Sequence, residues 1–261
     1  MTDRDAWGEW RPWLAERADE MKAAVLFLTR LPLPGATRPA GSAIAQAAWA
    51  FPIAGVAVGI IGAAVYALAH RLGLPAWPAA ALAVAATLAT TGCLHEDGLA
   101  DTADGFGGGA TREQKLDIMR DARIGSYGVC ALALSLILRT AALASLADPA
   151  AVAAALIAAH AAARAAMPVL MLAVEPARSD GLSFAAGRPP DAGVGAAALL
   201  GIIVLAVSLG IGRAFLGAIA LAIVIAVIAR LSLKQIGGQT GDVLGALEQV
   251  SEIVVLLVAH G

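Results

Sequence analysis

The chain has 261 residues, 59% of them hydrophobic and 15% charged, with a mean hydropathy of +0.78. Soluble domains carry about 25% charged residues, so this composition excludes an ordinary water-soluble globule and points to the bilayer. No nucleic-acid partner is expected, since the net charge of −2 says nothing either way and no Lys/Arg run suggests a phosphate-backbone groove; the two cysteines, Cys93 and Cys130, fit neither a zinc pattern nor a disulfide framework.

The first twenty residues mix acids, arginines and three tryptophans, and do not read as a signal peptide. Over residues 7–30, Trp7, Trp10, Leu14, Ala18, Met21, Val25 and Leu28 recur every three or four positions, which predicts an amphipathic helix. Tryptophans on its apolar stripe suit a helix lying in the membrane interface, and packing on the protein's own surface is an equal reading. LTRLPLPG (Leu28 to Gly35) ends it with two prolines.

A span needs about 20 apolar residues. Seven segments qualify: Trp49–His70, Pro75–Leu94, Ser126–Leu146, Ala151–Val174, Gly193–Gly212, Ala214–Leu233 and Asp242–His260. The second starts with prolines and the seventh contains Glu248 and Glu252, so these two are the weakest. The expected fold is all-α: a polytopic bundle of about seven transmembrane helices behind an interfacial helix, with residues 1–48 as an N-terminal segment and 49–261 as one membrane domain.

Orientation follows from Lys and Arg. The N-terminal segment and the loops after spans two, four and six hold 14 of them, against Arg71 and Arg213 in the others. The N-terminus and these three loops are therefore expected in the cytoplasm. They are Gly92–Gly128, SDGLSFAAGRPP (Ser179 to Pro190) and KQIGGQTGDVLG (Lys234 to Gly245). One shared site is the economical expectation.

Gly92–Gly128 holds seven of the twenty carboxylates. Asp97, Asp101 and Asp104 are spaced i, i+4, i+7, which stacks them on one helical face. Like charges so placed repel, and a divalent cation turns that cost into an oxygen site. Asp121 follows, beside Arg120 and Arg123. Carboxylates and arginines without a His/Cys cluster suit Mg²⁺ or Mn²⁺ holding a phosphorylated substrate; a solvated loop with helix caps is the plainer alternative. Thr240 and Asp242 open the seventh span, either as a cap or as a phosphate site with a further metal oxygen. At membrane depth stand Arg139, Arg164, Glu248 and Glu252, and an Arg164–glutamate pair between spans four and seven is expected, structural or substrate-binding. His95, two residues before Asp97, is structural or a general base.

HEDGLADTADGFGGG followed by KLDIMRDARIGSYG resembles the cobalamin synthase family, the adenosylcobinamide-GDP ribazoletransferases; FLTRLPLP, SDGLS and GGQTGDVLGA extend the likeness over most of the chain. Glu96 departs from it, standing where the family pattern has an apolar residue. The resemblance implies a multi-pass enzyme of the bacterial inner membrane. It would join adenosylcobinamide-GDP with α-ribazole or its 5′-phosphate and release GMP, with Mg²⁺ as cofactor. It implies Asp97, Asp101 and Asp104 as metal ligands, with Asp121 and Asp242 behind them. Lys115, Arg120 and Arg123 would neutralise the leaving GMP, and His95 or an aspartate would take the hydroxyl proton. Arg164 and Thr240 complete the expected substrate contacts, and a homo-oligomer is left open. Two other readings stand beside this one. The first is a CDP-alcohol phosphotransferase, disfavoured because Asp101 follows Asp97-Gly98-Leu99-Ala100 where that signature has Arg. The second is a cation transporter working through Glu248, Glu252 and Arg164.

Overall fold

The computed structural model describes residues 3–33 and 37–260, the backbone only for residues 3–10. The side chains of Trp7 and Trp10, and the Pro34–Gly35 end of the expected helix break, lie outside the described residues. The elements are α1 (Asp3–Leu28), α2 (Ala43–Gln46) with a 3-10 turn leading into α3 (Phe51–Arg71), α4 (Ala76–Thr91), α5 (Leu94–Gly108), α6 (Arg112–Ile118), α7 (Ser126–Leu146), α8 (Pro149–Ala173), α9 (Gly181–Ala186), α10 (Asp191–Leu209), α11 (Ile211–Ile236) and α12 (Gly241–Val258). No strand occurs among the described residues; a single bridge pairs Pro176 with Gln239. The all-α bundle is as the sequence predicts.

Five stretches are long and apolar enough to cross a membrane: Ala43–Arg71, α7, α8, α10 and α11. Counting α4 with α5 as one bent unit makes six. Two of the seven expected spans therefore do not stand alone. Helix α4 has only 16 residues, and α5 leaves it at 91°. With 15 residues, α5 is about 22 Å long, too short by itself to cross about 30 Å of hydrocarbon, and it packs against α12 and α7. Helix α12 carries Asp242, Glu248 and Glu252 and is buried almost throughout, so it forms the bundle's core.

Small residues set the packing. Gly55 and Gly59, one helical turn apart on α3, let α8 approach its backbone: a methyl group at either would meet the carbonyl of His160 or the Cα of Ile157 at 2.2 and 2.7 Å. In a bilayer, where apolar burial gives helices little drive to associate, such close van der Waals approach is the main glue. Helices α7, α10 and α11 turn Leu138, Ile202, Val207 and Ile223 outward, as a lipid-facing surface does. The C-terminal half of helix α1 packs on the core. Ala24 and Leu28 join the core cluster that contains Phe51, while Trp13 and Leu14 are exposed.

The bend between α4 and α5 rests on Gly92 and Cys93, both in the left-handed region (φ +67° and +57°). Glycine suits the left-handed turn at Gly92, where a Cβ would also displace the Arg30 side chain, whose Nε would lie 2.4 Å away. This bend puts the aspartate-bearing helix at the bundle end beside the first turn of α12.

Candidate functional site

The site starts from a glycine crossing. Gly98 of α5 and Gly245 of α12 let the two helices touch backbone to backbone: a methyl group at Gly98 would sit 2.7 Å from the carbonyl oxygen of Asp242 and 3.1 Å from the Cα of Gly245. That approach holds Asp97 and Asp101 near Asp242. The three charges act on one another. Burial first, then the carboxylates of Asp97, Asp242 and Asp104, push the Asp101 pKa up to about 7.

Three connections meet around this crossing, as the shared-site expectation requires. From α6, the Arg112 guanidinium donates to the carbonyl oxygen of Ile236 at 2.7 Å and to that of Ala177. Lys115 reaches Gln235. Between the α8–α9 and α11–α12 connections, Gln239 N–H donates to Glu175 O at 2.9 Å, and Ala177 N–H to Gln239 O at 2.8 Å. Arg120 holds both oxygens of Asp180, at 2.5 and 2.6 Å.

Two clefts flank the aspartates, and Asp97 lines both. The first, about 240 Å³, is lined by apolar residues (Phe27, Phe51, Leu94, Met167, Met171) and by polar ones (His95, Asp97, Arg178, Ser183, Asp242). The second, about 530 Å³, runs from Asp97, Asp101, Arg120, Asp121 and Arg123 down to Leu132 and Leu136 of α7.

Not every expected residue takes its expected place. Asp104 is buried, and both its oxygens accept backbone N–H groups at the start of α7, from Gly125 at 2.7 Å and Gly128 at 2.9 Å. A methyl group at either glycine would collide with this carboxylate. Asp104 therefore anchors the start of α7 with both its oxygens. Asp121 is clasped by Arg123 through Nε and Nη2 and lies on the surface, its pKa drawn down to about 2 by those hydrogen bonds. Thr240 is buried, accepting the Val243 N–H at 3.3 Å as the cap of α12 and donating to Asp242 at 3.1 Å. Lys115 lines neither cleft.

Arg164 lies away from both clefts. It is 1% exposed and pairs with Glu248 at 2.6 Å. The expected pair between α8 and α12 thus exists, in its structural form. It belongs to a buried network in which Arg139 holds Glu96 at 3.1 Å and Glu252 at 3.3 Å, and Gln249 bridges Glu96 and Glu248. Glu96, the departure from the family pattern, is therefore the partner of Arg139. His160, Glu248 and Glu252 offer ligand atoms within 4.8 Å of one another, the one such trio among the described residues. Two guanidinium groups already neutralise its carboxylates, which is how a network of ion pairs is built. The aspartates at the crossing are not drawn together as closely. Their donor set, exposed or half-buried carboxylate oxygens without a soft ligand, is that of Mg²⁺, which keeps several of its waters.

His95 sits between network and cleft. Its Nδ1 lies 3.5 Å from Arg164 and 3.6 Å from Glu248, and its Nε2 is buried without a partner. Burial, and then the Arg164 charge, hold its pKa well below the ordinary value, so the ring is neutral. Sequence reasoning overlooked Arg178, which faces the first cleft. Its one signal was its place just before SDGLS.

The sequence profile described as cobalamin-5-phosphate synthase (CobS) matches residues 20–260. Among curated proteins, the chain is 56% identical over 240 residues to an adenosylcobinamide-GDP ribazoletransferase of Bradyrhizobium diazoefficiens, covering 92% of each chain. It is 54% identical over 241 residues to one of Mesorhizobium japonicum, again covering 92% of each. A Ralstonia nicotianae protein of the same name is 41% identical over 251 residues, covering 94% of this chain and 96% of its own. No solved structure matches.

Proposed function

Because this chain belongs to the cobalamin-5-phosphate synthase family, we propose that it joins adenosylcobinamide-GDP with α-ribazole or its 5′-phosphate in a Mg²⁺-dependent transfer that releases GMP. The observation that carries this reading is the meeting of Asp97, Asp101 and Asp242 on the wall between two clefts. A transfer between two substrates needs one electrophilic phosphorus reachable from both sides.

The ribazole hydroxyl attacks the phosphorus nearest the cobinamide. An O–P bond forms, the P–O bond of the pyrophosphate bridge breaks, and GMP leaves with the electron pair. The hydroxyl proton passes to His95 Nε2 or to Asp97, the acceptors on the first cleft. Asp97, Asp101 and Asp242 would hold Mg²⁺, which supplies positive charge against the pyrophosphate. Arg120 and Arg123 line the wider cleft, each now on a carboxylate partner that a phosphate can replace. Positioning and charge neutralisation are most of what phosphoryl transfer asks of a protein. The enzyme is read as an inner-membrane protein with these loops in the cytoplasm, on the Lys/Arg asymmetry. The transporter reading loses ground, because Arg164, Glu248 and Glu252 are closed on one another and line neither cleft.

The test is GMP release from adenosylcobinamide-GDP plus α-ribazole by the purified protein. Mg²⁺-dependent release by the wild type is expected, lowered about 10²- to 10³-fold by Asp97→Asn or Asp101→Asn. A wild type that releases no GMP with Mg²⁺ present overturns the function; full activity in both variants overturns the metal assignment.

A further inference from the structure

One side chain ties the two clefts together. Asp180 opens α9 as its N-cap residue, yet its carboxylate caps no N–H of that helix. Both its oxygens lie instead on Arg120 Nη2, at 2.5 and 2.6 Å. Arg120 lines the wider cleft, whereas Leu182, Ser183 and Ala186 of α9 line the smaller one. A wall of one cleft is therefore moored to a cation of the other.

The mooring matters because little else fixes α9. Six residues are too few for a helix to hold itself in water. It is bounded by Gly181 and Gly187, both at positive φ (+84° and +74°), and a Cβ at Gly187 would meet nothing within 4 Å. Its inner face is held by Ser183 Oγ, which donates to Gln239 Oε1 at 2.7 Å, and by the burial of Ala186. Leu182 and Phe184 are half exposed. At about 240 Å³, the cleft that α9 walls lies below the roughly 300 Å³ at which small-molecule pockets begin. Admitting a nucleoside asks a wall to move back, and α9 is the wall with glycine at both ends.

We infer that Asp180 occupies Arg120 in place of a ligand phosphate, and that an anion binding in the wider cleft displaces it and frees α9 to open the smaller cleft. The inference rests on the proposed function for the identity of that anion, the donor pyrophosphate. It makes Asp180 a positioning residue that couples donor to acceptor; no covalent bond changes. Once displaced, its carboxylate has a second cation at hand, Arg178 Nε at 3.6 Å, so the charge is not stranded. The Arg120 and Asp180 side chains are 48% and 61% exposed, and exposed pairs of this kind shift an equilibrium about two- to fivefold. That is weak enough for a pyrophosphate to replace. It also sets the size of the coupling, which acts equally in both directions.

The test uses the full chain in detergent with Mg²⁺, and GDP as the probe, which carries the donor's pyrophosphate but no cobinamide to transfer. Asp180→Asn and Asp180→Ala should bind GDP about two- to fivefold tighter than the wild type, with Asp180→Glu close to the wild type. A residue that merely held the loop in shape would weaken binding when removed. Hydrogen exchange of residues 181–187 should quicken when GDP is added to the wild type, and should already be fast in Asp180→Asn. α-Ribazole should bind the wild type about two- to fivefold tighter with GDP present, and Asp180→Asn equally with or without it. Wild-type exchange that GDP leaves unchanged or slows overturns the inference, even if the variants fail to fold. GDP binding that Asp180→Asn weakens or leaves unchanged also overturns it, as does a wild type that binds no GDP. Tighter GDP binding and fast exchange in Asp180→Asn, beside a wild type that releases no GMP from adenosylcobinamide-GDP, leave the coupling standing and sink the reaction.

Discussion

The Cα of Gly98 faces the backbone of Asp242 so closely that a single added methyl group would stand 2.7 Å from the carbonyl oxygen of Asp242. Two acidic positions 145 residues apart in the numbering become neighbours because one of the crossing residues has no side chain.

Gly98→Ala should therefore separate α5 from α12. The atoms met are backbone, which cannot rotate away, so overpacking of about 1–3 kcal/mol is expected. Thermal unfolding in detergent measures that loss. Activity should fall further than stability does, because the separation also moves Asp97 away from Asp242. A variant with wild-type melting and wild-type turnover would show that the crossing is not what positions the carboxylates.

The pKa of Asp101 makes a pH prediction. With its folded pKa raised to about 7, the carboxyl holds a proton below that pH, whereas an unfolded aspartate loses its proton near 3.9. Folding of the metal-free protein takes up a proton between these values, so this group's contribution to stability falls as pH rises from about 4 to about 7 and is level above. Mg²⁺ competes with the same proton. Its affinity should weaken up to about tenfold for each pH unit below 7 and be flat above it. Titrating Mg²⁺ between pH 5.5 and 8.5 measures this, and Asp101→Asn should flatten the profile. A wild-type affinity that ignores pH would remove Asp101 from the cation site.

Breaking the Arg164–Glu248 pair should be severe. Each partner is at most 1% exposed, and removing one leaves a buried charge unpaired, at a cost of about 3–5 kcal/mol. Arg164→Ala and Glu248→Ala should each reduce the amount of folded protein in the membrane. The double exchange Arg164→Glu with Glu248→Arg should recover part of it. No recovery would mean that the rest of the network, Arg139, Glu96, Glu252 and the two histidines, fixes the sign at each position.

Much of this was legible in the sequence because lipid imposes a plain pattern. Long apolar runs gave the helices, and the Lys/Arg asymmetry grouped three polar loops that the structure ties together through Arg112 and Arg120. The i, i+4, i+7 spacing correctly placed three aspartates on one helix, α5. Periodicity does not reveal what a carboxylate faces. Asp104 looked equivalent to Asp97 and Asp101 until the N–H groups of Gly125 and Gly128 were seen on it. The glycines of IGSYG were the available clue, since they leave room for an incoming side chain. Glu96 and Arg139 read as an oddity and an isolated charge because their pairing spans 43 positions, and Arg178 had no pattern at all.

The right-angled bend at Gly92 and Cys93 has a consequence for the bilayer itself. If the loops tied together by Arg112 share one side of a bilayer, α4 is the segment that has to carry the chain back across between α3 and α6. Its 16 residues cover about 24 Å, several ångströms less than the hydrocarbon thickness. The mismatch costs only fractions of a kcal/mol per ångström and is met by local thinning. With α4 as a crossing, the headgroup layer beside it would dip toward the midplane, with the aspartate helix at the bottom of that dip. Asp97 and Asp101 would there stand within a few ångströms of both water and hydrocarbon.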